Sequence, residues 1–171
     1  MNDINIRLAE EKDIPAICDI RKKTWVDTYP NKDYGITVED ILSKDFNSQK
    51  KIESLKKALK NKNLRIWVAE IDNKIIGHCQ ASKGRIKNDF SVIYILPQYQ
   101  RQGIGQKFAL KVFEWLENQK PITTEVVKYN SAAISFYKKL GFGNPVEMKF
   151  PRTLPSGKVL PTIKLTKSPS G

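Results

Sequence analysis

Two glycines one residue apart, Gly103 and Gly105, stand between a short apolar run and an amphipathic one, and they constrain the fold more than any other feature. Ser91 to Leu96 (SVIYIL) is rich in β-branched and aromatic residues, too short for a helix, and closed by Pro97, so it reads as a buried strand. Lys107 to Glu117 has helical periodicity, with Phe108, Leu110, Val112, Trp115 and Leu116 on one broad face. Strand, glycine turn and helix together aim backbone N–H groups at an anion. The first amides of a helix lack internal partners, the helix dipole is positive there, and glycine lets a ligand approach the chain closely. The sequence therefore predicts that this turn holds a pyrophosphate.

The 171 residues, 40% apolar and 28% charged, suit one soluble globular domain, expected over 1–167 with a tail at 168–171. No apolar run is long enough for a membrane span, and charges stand where a signal peptide would need its apolar core. Cys18 and Cys79 match no metal spacing and are too few for a disulfide framework, which points to a reducing, cytoplasmic setting. With His78 as the one histidine, no protein-built metal site is expected. The formal charge of +12 is unevenly spread: residues 1 to 45 carry seven Lys/Arg against ten Asp/Glu, and the rest carry 23 against eight. A basic two-thirds would meet phosphate, and an acidic first third would meet something else. Nucleic acid is the other anionic partner such a balance allows, but it is not the expected one.

Ile4, Ile6 and Leu8 alternate as a first strand, and Asp13 looks like the N-cap of a helix whose apolar face includes Ile14, Ile17, Cys18 and Trp25. Thr37 and Asp40 are spaced as a capping box, flanked by Ile36 and Ile41 as a hydrophobic staple, so a second helix starts there, with an interruption possible at Asp45 to Ser48. Leu64 to Ile71 and Lys74 to Ala81 read as a hairpin turning at Asp72-Asn73. A helix ending near Gln119, a strand over Ile122 to Tyr129 and a short helix from Asn130-Ser131 to Leu140 follow. Two closing strands, Val146 to Phe150 and Val159 to Leu165, complete the order β-α-α-β-β-β-α-β-α-β-β, an α/β (α+β mixed-sheet) layer architecture.

The glycine turn alone is a weak signal. A dinucleotide fingerprint needs a third glycine beyond Gly105, where Lys107 and Phe108 stand instead, and a P-loop needs Gly-Lys-Ser/Thr, which Gly105-Gln106-Lys107 does not supply. What remains is Gln100-x-x-Gly103-x-Gly105 directly after a strand ending in Leu-Pro, followed by Asn130-Ser-Ala-Ala-Ile-Ser-Phe-Tyr137-Lys-Lys-Leu-Gly-Phe142. Two such signatures in register resemble the GNAT superfamily of CoA-dependent N-acetyltransferases over most of residues 4 to 166. The connection from Trp25 to Thr37 is in turn similar to the corresponding segment of bacterial polyamine (spermidine/spermine-type) N-acetyltransferases.

The resemblance implies acetyl-CoA as cosubstrate and an amine as acceptor, joined in a ternary complex; with no cysteine at an obvious nucleophile position, no covalent acetyl-enzyme is expected. It implies that the pantetheine arm runs along Tyr94, Ile95 and Leu96, and that the pyrophosphate lies on the amides of Gln100, Arg101, Gln102, Gly103, Ile104, Gly105 and Gln106. Asn130 would hold the pantetheine or splay the strands. Tyr137 would protonate the departing thiolate. The family's general base falls at Asp89, one methylene shorter than the usual glutamate, with Glu125, His78 or a water as alternatives. The acceptor pocket would be built by the first two helices and their connection, with Trp25, Tyr29 and Tyr34 as walls and Asp27, Asp33, Glu39 and Asp40 supplying negative charge. A small amine or polyamine is the expected acceptor; a peptide N-terminus or lysine, or a CoA-binding module without catalysis, are the alternatives. The chain would act as a monomer or homodimer.

Overall fold

A computed structural model describes residues 3–117 and 119–169. Ser170 and Gly171, half of the expected tail, lie outside the described residues. The chain runs β1 (Asn5–Leu8), α1 (Ile14–Thr28), α2 (Val38–Leu42), α3 (Gln49–Leu59), β2 (Leu64–Ile71), β3 (Lys74–Ser82), β4 (Asn88–Ile95), α4 (Ile104–Leu116), β5 (Ile122–Val127), α5 (Ser131–Lys139), β6 (Gly143–Glu147), β7 (Arg152–Thr153), β8 (Val159–Leu160) and β9 (Thr162–Lys167). Seven strands form one sheet in the order β1-β2-β3-β4-β5-β9-β6, antiparallel except for β4 against β5, while β7 and β8 make a separate hairpin.

Helices cover both faces, which explains the continuous apolar runs of the central strands. On one face Trp67, Ala69, Ile76, Cys79 and Phe90 pack with Phe108 and Val112 of α4 and Tyr137 of α5. On the other face Ile66 and Val68 meet Ile14, Ile17 and Cys18 of α1 and Leu55 of α3. A third cluster gathers Trp25 and Tyr29, Ile36 and Ile41, Phe46, and Leu154 and Leu160 from around the β7–β8 hairpin.

Local chemistry explains most boundaries. The capping box forms: Asp40 N–H donates to Thr37 Oγ1 at 3.2 Å, Thr37 N–H donates to Asp40 Oδ2 at 2.9 Å, and both staple isoleucines are buried. The expected second helix is in fact two, because Ser48 starts a fresh cap by accepting from Lys51 N–H at 3.3 Å. Asp72 and Asn73 both take positive φ, 48° and 60°, as a primed hairpin turn requires. Asp13 does not cap α1 with its side chain. Its carboxylate accepts from Glu10 N–H at 2.8 Å and pairs with Arg7 at 2.7 Å, tying β1 to the turn before α1. The helix expected to reach Gln119 stops at Leu116, where Glu117 turns left-handed.

Candidate active site

The sheet splits between β4 and β5. These strands pair only at Asn88–Ile122 and Asp89–Thr123, and the last cross-link is Thr124 Oγ1 donating to Phe90 O at 2.8 Å. The cause lies in β4. Between the pairs Gln80–Val92 and Ser82–Asp89, two residue steps of β3 face three of β4, a bulge that bends the strand away. The extra residue also changes which side chains share a face. Phe90, Ile93 and Ile95 all join the core under α4 and α5, whereas Tyr94 joins the opposite cluster with Trp25 and Tyr29. Leu96 N–H donates to Ile76 O at 2.9 Å, so by strand alternation the peptide groups of Ile93 and Ile95 turn toward the gap. One of them, Ile95 O, accepts from the Gln100 side chain at 3.0 Å.

Just beyond β4, the amides of Arg101 through Gln106 donate to no other protein group among the described residues. Arg101 (φ 60°) and Gly103 (φ 79°) are both left-handed, which curls these N–H groups into a concave row at the head of α4. The two glycines have different tasks. A Cβ on Gly103 would meet nothing within 4 Å, leaving open space before the amides, whereas a Cβ on Gly105 would lie 2.9 Å from Cε2 of Phe136. Gly105 is therefore where α4 packs on α5. A cleft of about 800 Å³, with Tyr99, Gln102 and Lys107 in its wall, adjoins the row. An extended amide beside an unpaired strand edge, ending in a pyrophosphate, matches these features, so the residues present fit coenzyme A.

Tyr137 is buried where the strands part, edge-on to Phe90 at 5.7 Å and to Phe142 at 5.3 Å. Burial pushes its phenol well above the ordinary value, against a smaller opposing pull from the Thr124 hydroxyl. Asn130 caps α5, its Oδ1 accepting from Ala133 N–H at 3.1 Å, which leaves its NH₂ as donor. Asp89 is half-buried at the start of the split and accepts from Thr123 Oγ1 at 3.3 Å. Glu125 is exposed on β5, beside Lys164 of β9. His78 is 1% exposed, cross-strand from Tyr94, and both ring nitrogens lack partners among the described residues. Burial, reinforced by Arg21 and Lys51, holds its imidazole well below the usual value, so it is neutral.

On the α1 face of the split, Trp25 and Tyr29 pack together in a buried cluster with Tyr94 against it. Tyr34, expected beside them, is instead exposed, with its ring 4.8 Å from that of Tyr129. Asp27, Asp33 and Glu39 are exposed, and Asp40 is committed to its cap. The charges that do converge here are positive. Arg21 is 8% exposed with its guanidinium carbon 5.8 Å from the Tyr94 ring, and Lys44 and Arg152 lie 5.5 and 5.2 Å from the Trp25 ring. Sequence reasoning missed this group because its members come from α1, the α2–α3 loop and β7, with no local pattern linking them.

The family model described as the Acetyltransferase (GNAT) family matches residues 15–142. An N-alpha-acetyltransferase of Sulfurisphaera tokodaii is 32% identical over 102 residues, which is 49% of this chain and 59% of that relative's length. Among solved structures, the PaiA N-acetyltransferase of Thermoplasma acidophilum in complex with coenzyme A superposes with a TM-score of 0.75 at 19% identity, covering 97% of this chain and 99% of that one. The ribosomal-protein-S18-alanine N-acetyltransferase of Escherichia coli gives 0.69 at 18% identity, over 99% and 96% of the two chains. At these identities the structural matches speak to the fold, and the family match speaks to descent. With the split sheet and the amide row, they lead to one conclusion: the chain belongs to the GNAT family of acetyltransferases.

Proposed function

We propose that the protein transfers the acetyl group of acetyl-CoA to a primary amine by direct attack. The observation that carries this reading is the gap between β4 and β5, which leaves the Ile93 and Ile95 peptide groups without a strand partner beside a row of free amides. In this reading Tyr94 to Leu96 flank the pantetheine, and Gln100 to Gln106 hold the pyrophosphate, with Arg101 and Lys107 adding positive charge. Acetyl-CoA supplies an activated thioester carbonyl and a thiolate leaving group. Tyr137, kept protonated by burial, stands as the proton donor for that thiolate. Asp89, fixed by Thr123 at the base of the split, takes the proton from the incoming ammonium, directly or through one water. Neither cysteine supports a covalent intermediate: both are buried, and burial raises both thiols.

In this reading the acceptor is a small amine, because side chains of α1, the α2–α3 segment and the β7–β8 region pack closely on the α1 face. A polycation loses its main support, since Asp27, Asp33 and Glu39 are exposed and Asp40 is committed to its cap. A protein N-terminus is the second reading, favoured by the relative named as an N-alpha-acetyltransferase. The test is free-thiol release from acetyl-CoA with a panel of small amines and peptides. Background rates with every acceptor would sink the proposal.

A further inference from the structure

Beside Trp25 and Tyr94 gather positive groups that no acidic side chain neutralises among the described residues. Arg21, Lys44, Lys51 and Arg152 influence one another electrostatically, yet none makes an ion pair among the described residues. The nearest acid in sequence, Asp45, is exposed and accepts instead from Asn47 N–H at 3.0 Å. Arg21 Nε and Trp25 Nε1 are buried with no hydrogen-bond partner, on residues 8% and 3% exposed. An unpaired buried guanidinium and unmet donors are costly to keep, and such sites are retained where a ligand completes them.

The hydrogen-bond inventory gives the ligand's character. Arginine, lysine and the tryptophan indole only donate, so what completes this site must bring acceptors and negative charge. The site is also separate from the amide row. Ile104, at the head of α4, belongs to the core under α4 and α5, whereas Trp25 and Tyr94 belong to the cluster on the other face. Resting on the acetyltransferase reading, we propose that the acceptor is an amine that also carries a compact oxyanion, a carboxylate or phosphate. Arg21, Lys44, Lys51 and Arg152 receive that oxyanion on the α1 face, where Tyr94 borders the split.

The desolvated arginine is the central contact, because its planar fork matches an oxyanion in two parallel bonds. Lys44 and Arg152, with their charges near the Trp25 rim, guide the anion in. Burial, then the neighbouring Arg21 and Lys44, lowers the Lys51 ammonium to about 8, so a bound anion also relieves crowding among like charges.

The experiment compares matched acceptors on the intact protein: phenylalanine with phenethylamine, lysine with cadaverine, phosphoethanolamine with ethanolamine, and spermidine alone. In at least one pair the anionic member is expected to be preferred by about tenfold or more in kcat/KM. The pair that shows it distinguishes carboxylate from phosphate. Arg152→Ala, on an exposed side chain, and Lys51→Met should each reduce that preference mainly through KM, with coenzyme A affinity unchanged. Arg21→Met should abolish it. Calorimetric titration of N-acetylphenylalanine and of inorganic phosphate gives a readout independent of turnover. Neutral amines or spermidine outperforming every anionic partner would overturn this inference and leave the acetyltransferase reading standing. Equal losses of kcat for all amines in the variants would overturn it too, by moving the cations to the reacting carbonyl. Failure of the protein to bind coenzyme A would instead sink the acetyltransferase reading.

Discussion

In the proposed mechanism Tyr137 and Asp89 have opposite requirements, and their surroundings differ accordingly. As the proposed proton donor, Tyr137 must keep its proton until the thiolate forms, and burial against Phe90 and Phe142 favours this. Tyr137→Phe is expected to slow acetyl transfer by about 10²-fold or more with coenzyme A affinity nearly intact. An unchanged rate of thiol release would remove the phenol from the chemistry. As the proposed base, Asp89 needs access to solvent and a fixed direction, and it is half-buried and hydrogen-bonded by Thr123. Asp89→Asn should depress kcat/KM on the acidic side of the pH profile, where the amine most needs a base. A profile that keeps its shape would pass the role to Glu125 or water. Little of either residue's surroundings was legible in sequence. Motif register could point to position 89 and position 137, and Phe142 shares the signature of Tyr137, but Thr123 reaches Asp89 from β5 and Phe90 reaches Tyr137 from β4.

At the scale of elements, what the sequence showed was what neighbouring residues decide among themselves. The Thr37–Asp40 box, the Asp72-Asn73 turn and the glycine turn all depend on contacts within a few residues, and all form. The split between β4 and β5 depends on a bulge counted against β3, which no local pattern records. Gly105 shows the same limit, because its reason lies across a helix interface. Gly105→Ala is expected to destabilise the protein by about 1–2 kcal/mol in urea unfolding through the clash with Phe136. Phe136→Leu in the same chain should recover part of that loss, a coupling that independent sites would not show. α3 carries a prediction of pH dependence. Lys51 faces Arg21 and Cys18 of α1, Lys44 of the preceding loop and Arg152 of β7, with His78 beyond on β3. With a folded value near 8 against an ordinary 10.5, the unfolded chain holds more protons between those limits, so stability rises with pH across that window. Urea midpoints near pH 7.5 and 9.5 should therefore rise more in the wild type than in Lys51→Met, by about the linkage of one lysine. Equal slopes would mean that Lys51 is not held among those charges.

Across the whole molecule, charge counted by segment was a poor guide to charge seen by a ligand. The first 45 residues are net acidic, yet the charge they bury beside Tyr94 is Arg21, while Asp27, Asp33 and Glu39 are exposed and Asp40 serves as a cap. A tally knows sign and number but not direction. The sheet carries a different consequence. A strand with unpaired peptide groups at the rim of a sheet invites another copy of the chain to add on, and proteins usually blunt such rims. Here the rims are the four-residue β1 and the proline-bearing β6, both poor templates. The one good template, the Ile93–Ile95 stretch of β4, lies in the interior of the sheet and faces a diverging β5. A second protein strand, with its side chains on both faces, has no way in, while a slender chain of amides has. The molecule thus keeps a surface apt for strand pairing and stays protected from self-assembly through it.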